Sequence, residues 1–170
     1  MWTLHKNSAK GVGGVLFDFS ASVLTCTPGR AAGTYDVPLD RTAFVPEGGG
    51  QGFDPGTLGG AHVLDVQSDK QGLITHTVDA PLTVGSTVEG HLDAAVRTER
   101  MQCHSAEHIV SGTIHRRFGY DNVGFHLGGD DVTLDFNGLL DRAQLDEIED
   151  EANRIIRACV PIVTGYPAAD

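Results

Sequence analysis

The sequence predicts an α+β protein: a small antiparallel β-barrel domain over residues 1–92, followed by a helix-on-antiparallel-sheet domain over residues 93–170. Three observations carry this. Between residues 15 and 92, short stretches alternate apolar and polar residues at period two, with glycine- or proline-bearing turns between them. At Asp93 the periodicity becomes that of a helix. From there the order reads helix, strand, strand, helix, strand, the pattern of helices layered on an antiparallel sheet. That second sheet has few strands, and pairing between chains in a homodimer is one expected way to cover its edge.

Taken in order, residues 1–14 are weakly patterned and predict a loose start. Phe17, Phe19, Ala21 and Val23 then alternate with Asp18, Ser20 and Ser22 as in a half-buried strand. Thr27-Pro28-Gly29 turns the chain, and Tyr35, Val37 and Leu39 alternate as an antiparallel partner. In residues 40–58, DRTAFVPEGGGQGFDPGTL, Pro46, Gly48, Gly49, Gly50, Gly52 and Pro55 argue against regular structure. A flexible surface loop is the ordinary reading of such a run. Glycines also let backbone N–H groups approach an anion or a nucleotide end, and Glu47, Gln51 and Asp54 lie among them. Residues 61–67 and 73–78 read as a hairpin across SDKQG, and 86–92 as a further strand.

A helix is predicted over 94–118, with Gly119 as its stop and Met101, Ile109, Val110 and Ile114 as its apolar face. Gly112 weakens its middle by about 1 kcal/mol relative to Ala, which points to a close packing contact there. Strands at 123–125 and 132–136 flank the turn LGGDD. Asp141 is placed as an N-cap with Gln144 as its reciprocal partner. Leu145, Ile148, Ala152, Ile155 and Ile156 form the buried stripe of the next helix. Asp146, Glu147, Glu149, Asp150 and Glu151 are expected to form a solvated face. Pro161 ends that helix, and 162–166 reads as extended.

The totals exclude several classes. In 170 residues, 40% hydrophobic and 21% charged, no run approaches the ~18 apolar residues of a membrane helix. No signal-peptide core is present, so a cytoplasmic location is expected. Three cysteines without a CxxC pair form neither a disulfide framework nor a zinc ribbon. A net charge of −11 excludes nucleic-acid binding by bulk electrostatics, so any nucleic acid would be held locally, at one small end.

The chemistry concentrates in residues 101–120, MQCHSAEHIVSGTIHRRFGY. His104 and His108 are four apart and share one helix face, a spacing that lets two imidazoles bind one metal ion. With 8 histidines in the chain, about 0.4 such pairs arise by chance, so the spacing alone is a weak signal. Cys103 is turned about 100° away, and His115 lies about 10 Å farther along the axis. Cys159 and His126 reach the pair only through the fold. Glu107 either acts as a base beside the metal or is an exposed helix carboxylate, and the exposed carboxylate is expected.

Three stretches occur together and in order: RTAFVPEGGGQ, MQCHSAEHIVSG and GFHLGGDDVTLDF. Together, over about residues 15–166, they resemble the editing domain of alanyl-tRNA synthetases and the free-standing AlaX-type alanyl-tRNA editing proteins. The resemblance implies hydrolysis of mischarged tRNA(Ala), removing serine or glycine from its 3′ end at a Zn2+ site. It implies His104 and His108 as the first two zinc ligands, and the aminoacyl-tRNA(Ala) 3′ end as partner, with no membrane involved. Thr42 matches the family's threonine before the glycine loop and is implied to recognise a seryl hydroxyl. Gly48, Gly49, Gly50 and Gln51 are implied to wall the pocket and meet the terminal adenosine, with His126 near the substrate. The family's remaining ligands come from a downstream Cys-x-x-x-His element, whereas no histidine follows Cys159 here. A fragment or a diverged member is therefore expected. The alternative is a catalytically incomplete module that binds the tRNA end.

Overall fold

The computed structural model describes residues 15–128 and 131–161. The N-terminal 14 residues, the centre of the LGGDD turn and the strand expected at 162–166 lie outside the described residues. The chain divides into two compact units between Met101 and Gln102.

The first unit is built on seven strands: β1 (Asp18–Ser22), β2 (Thr27–Pro28), β3 (Tyr35–Pro38), β4 (Gly56–Leu58), β5 (Ala61–Ser68), β6 (Ile74–Val78) and β7 (Thr87–Leu92). They form one antiparallel sheet in the order β1-β7-β4-β5-β6-β3-β2. The sheet curls until its two sides meet. Val23, just past β1, bridges Leu39, just past β3. There the Leu24 N–H donates to Pro38 O at 3.0 Å and the Asp40 N–H to Ser22 O at 3.1 Å. The segment expected to partner the first strand thus pairs with it only through this bridge. Its ladder runs along β6, with Val37 opposite His76. The ladder of β1 runs along β7, where Phe19 faces Gly90. A Cβ on Gly90 would stand 2.4 Å from the Phe19 ring, so that ring occupies the space a side chain would need.

Two short strands are absent from the sequence reading because their local signals are turn signals: β2 contains Pro28 and β4 contains Gly56. The core is the inward set of the alternation, including Val23, Val37, Leu58, Val66 and Val78, joined by Phe44 from the segment between β3 and β4. Fully burying each Val, Leu or Phe is worth about 1.5–3 kcal/mol. One bulge explains an exception. The β5–β6 register shifts between Val63 and Asp65. Ala61 and Val63 point inward by alternation, Leu64 stays outside, and the bulge turns Val66 inward where strict alternation would have put Asp65.

The helix α1 (Ala94–Phe118) begins at Asp93, whose carboxylate accepts from the N–H groups of Ala95 and Val96, both at 3.0 Å. It ends where Gly119 takes φ +72°, the left-handed stop the sequence predicts.

The second unit contains the rest of α1, the hairpin β8 (Asn122–Leu127) with β9 (Val132–Phe136), and α2 (Arg142–Arg157). Asp141 caps α2 in a complete capping box with Gln144. Ile148 and Ala152 are buried, but Leu145 and Ile156 at the margins of the stripe are exposed. Two expectations fail here. Among the described residues Gly112 has nothing within 4 Å of a would-be Cβ, so no close contact there explains it. The acidic face is only partly solvated, because Glu151 pairs with Arg116 and Arg117, and Glu147 with Arg117. Those arginines occupy the last turn of α1, so the charges tie the helices together.

Candidate functional site

In the second unit, one turn of α1 brings the two predicted imidazoles together. The His104 and His108 ring centroids are 4.9 Å apart, and Phe125 of β8 packs 5.4 Å from His104. Glu107 joins them. Ligand-capable atoms of His104, Glu107 and His108 all lie within 4.8 Å of one another.

The expectation that Glu107 is an exposed helix carboxylate is overturned: it is buried. Position 107 lies on the side of the helix turned toward β8, and Asn122 on that strand reaches it. Glu107 Oε1 accepts from Ser111 Oγ at 2.5 Å and from Asn122 Nδ2 at 2.9 Å. Asn122 Nδ2 also donates to Ser111 Oγ at 3.0 Å, and the Gly124 N–H fixes the Asn122 carbonyl at 3.0 Å. With Oε1 occupied, Oε2 faces His108 Nδ1 at 3.0 Å. A proton on Nδ1 in that contact leaves Nε2 with a free lone pair. His108 itself is exposed, so this nitrogen is reachable.

Two imidazoles are donors suited to zinc, and the carboxylate from the same helical turn is placed to orient one of them. His126 is not part of this group. It neighbours Phe125 on β8, so strand alternation sends it to the opposite face, where it is exposed opposite Thr133. Cys159 is exposed and likewise outside the group.

In the first unit, the glycine run is far more ordered than a flexible loop. Gly48 and Gln51 exchange both backbone hydrogen bonds, at 3.0 and 3.1 Å. Gly49 and Gly50 between them have φ +59° and +81°. Two consecutive left-handed residues are the signature of a tight hairpin turn, which glycine alone enters without strain. The tip is exposed, with open space around Gly48 and Gly49, while Gln51 is buried.

The base of this turn is clamped. Val45 donates its N–H to Asp54 Oδ2 at 2.9 Å, and Asp54 returns its N–H to Val45 O at 3.0 Å. Arg97 from the start of α1 pairs with Asp54 Oδ2 at 3.0 Å. Arg100 donates to the carbonyls of Gly52 and Phe53. Asp54 is wholly buried. Burial pushes its carboxyl above the ordinary range, against the opposing pull of Arg97, the Val45 N–H and Arg100.

Thr42 is half-buried just before this turn. Its Oγ1 accepts from the Phe44 N–H at 3.1 Å and lies 2.9 Å from His76 Nε2. His76 is fully buried on β6, with Nδ1 2.9 Å from Val37 O. Burial lowers its pKa to about 4, with the Val37 carbonyl pulling the other way. His76 and Asn122 were missed in the sequence. For His76 a signal existed: in ITHTV it falls on the inward phase with Ile74 and Val78, where a polar residue needs buried partners.

In its three motifs the chain is similar to the alanyl-tRNA class of proteins. The chain is a homologue of alanyl-tRNA synthetases and of alanyl-tRNA editing proteins, in agreement with the AlaX-type resemblance of its motifs. It is 37% identical over 145 residues to the alanine–tRNA ligase of Caulobacter sp. (strain K31), which covers 79% of the chain and 16% of the ligase. It is 36% identical over 161 residues to the ligase of Natronomonas pharaonis, covering 88% and 17%. It is 30% identical over 164 residues to the alanyl-tRNA editing protein Aarsd1 of Danio rerio, covering 90% and 40%. The chain thus spans about a sixth of the ligases and two fifths of the editing protein. No family model matches it. Among the described residues no helix is long and apolar enough to cross a membrane.

Proposed function

We propose that the chain is a zinc-dependent, cytoplasmic editing hydrolase acting on the 3′ end of mischarged tRNA(Ala). The observation that carries this is the His104–Glu107–His108 group, set in a chain homologous to an alanyl-tRNA editing protein. His104 and His108 would hold the zinc ion. Bound there, zinc supplies a Lewis acid for the ester carbonyl. Glu107 has a specific part in this reading. With Oε1 held by Ser111 and Asn122, its Oε2 orients His108 and fixes the proton on Nδ1, which presents Nε2 as the donor.

Thr42 would receive the hydroxyl of a misattached serine. The exposed backbone of Gly48, Gly49 and Gly50, with Gln51 at its base, would meet the terminal adenosine. The chain's net charge of −11 agrees with recognition of one end rather than of the tRNA body.

The test pairs two measurements. Metal analysis of the purified chain and of His104→Ala should show zinc in the first and its loss in the second. Release of serine from Ser-tRNA(Ala) should follow the same order. Unchanged metal content in His104→Ala removes that residue from the site. Zinc-loaded protein that binds the tRNA end but releases no serine leaves the non-catalytic module as the function.

A further inference from the structure

We infer that His76 is a positioning residue that fixes the Thr42 hydroxyl as a hydrogen-bond acceptor, and so makes this position a receptor for a substrate hydroxyl. The inference rests on the editing reading above and names the residue on which its discrimination depends.

The argument follows the protons. The Val37 carbonyl oxygen only accepts, so the His76 Nδ1 at 2.9 Å must carry a proton. The ring is buried among apolar residues with no carboxylate beside it in these contacts, and it is neutral. A neutral imidazole with a proton on Nδ1 has a bare Nε2. Thr42 Oγ1, 2.9 Å away, must then donate its own proton to that nitrogen. Its oxygen already accepts the Phe44 N–H. A hydroxyl has one proton and two lone pairs, so one lone pair is left on a half-buried residue.

What remains open at Thr42 is therefore an acceptor and not a donor. A seryl hydroxyl can satisfy it. A glycyl or alanyl group cannot, and leaves a partly buried oxygen without a partner. Without His76 the Thr42 hydroxyl would rotate freely, and the position would lose this sense of direction. Alternation along β6 places the ring inward, and the β3–β6 register sets it opposite Val37, so the fold itself holds the relay.

Two arms test the inference. Long-range 15N–1H NMR of the wild-type chain should show His76 protonated at Nδ1 and bare at Nε2. The reverse tautomer overturns the inference whatever the activity. In deacylation, the ratio of kcat/KM for Ser-tRNA(Ala) over Gly-tRNA(Ala) should fall about 5-fold in His76→Phe, the worth of one neutral hydrogen bond. Thr42→Val should lower the ratio similarly, and the double variant no further. A general loss of structure would lower both substrates together and leave the ratio unmoved. His76→Gln, whose side-chain oxygen can replace Nε2 as the acceptor, should recover most of the ratio and guards against misfolding of the phenylalanine variant. A ratio unmoved in a His76→Phe chain whose circular dichroism spectrum and urea midpoint show it folded overturns this inference alone. A folded, zinc-bound wild type that hydrolyses neither ester overturns the editing reading, and the substrate assigned here with it.

Discussion

Acid should weaken the first unit through His76, beginning above the range where carboxylates titrate. The folded pKa is about 4 against an ordinary 6.5. The folded state therefore binds fewer protons than the unfolded chain at any pH between these values, and the unfolded chain gains as the pH falls. Stability contributed by the neutral ring is complete above about pH 6.5 and is lost progressively down to about pH 4. The full difference is worth about 3 kcal/mol, and between pH 7.5 and 4.5 about 2.5 kcal/mol. The ring is wholly buried, so little solvent screening reduces this. Two shifted carboxyls lie nearby in pH. Asp40, lowered mainly by the Ser22 N–H, loses its contribution below its ordinary 3.8, under this window. Asp54 is raised by burial, so acid relieves it and its effect has the opposite sign. A comparison with a variant that lacks only the imidazole isolates the histidine. Urea unfolding of wild type and His76→Gln at pH 7.5 and 4.5 gives four midpoints. The wild type should lose about 2.5 kcal/mol more than the variant on acidification. Parallel losses, within about 0.5 kcal/mol, would show that the buried ring is not the acid-sensitive group.

Substitutions at three further positions test the framework. Asp54→Ala leaves Arg97 without its partner at the base of the glycine turn and should cost about 3–5 kcal/mol in urea unfolding. Asp54→Asn still accepts from Val45 and should cost less, and equal losses would place the effect in packing rather than charge. Gly112→Ala, on an open stretch of helix, should raise stability by about 1 kcal/mol. Gly56→Ala should instead break the β4–β7 pairing, because its Cβ would stand 2.1 Å from the His91 carbonyl oxygen. A Gly56→Ala chain as stable as wild type would contradict the register assigned there.

By itself the sequence determined what local periodicity and local chemistry encode. The alternation Phe19, Ala21, Val23 marked a strand, Asp141 with Gln144 marked a capped helix, and Gly119 marked a stop. The i, i+4 spacing put His104 and His108 on one face, because 3.6 residues per turn fixes that without reference to anything else. Tertiary structure alone decided the pairings and the burial. Which strand lies beside β1 depends on how the sheet curls, and Pro28 and Gly56 hid two strands behind turn signals. Glu107 read as a solvent carboxylate because nothing in its own helix reveals Asn122, which is 15 residues away in the chain. Thr42 and His76 are 34 positions apart, and only the register of β3 on β6 gives them one shared proton. A hydrogen bond acts over about 3 Å and is indifferent to separation along the chain. Contacts of this kind are set by the packed fold and leave no periodic trace in the string of residues.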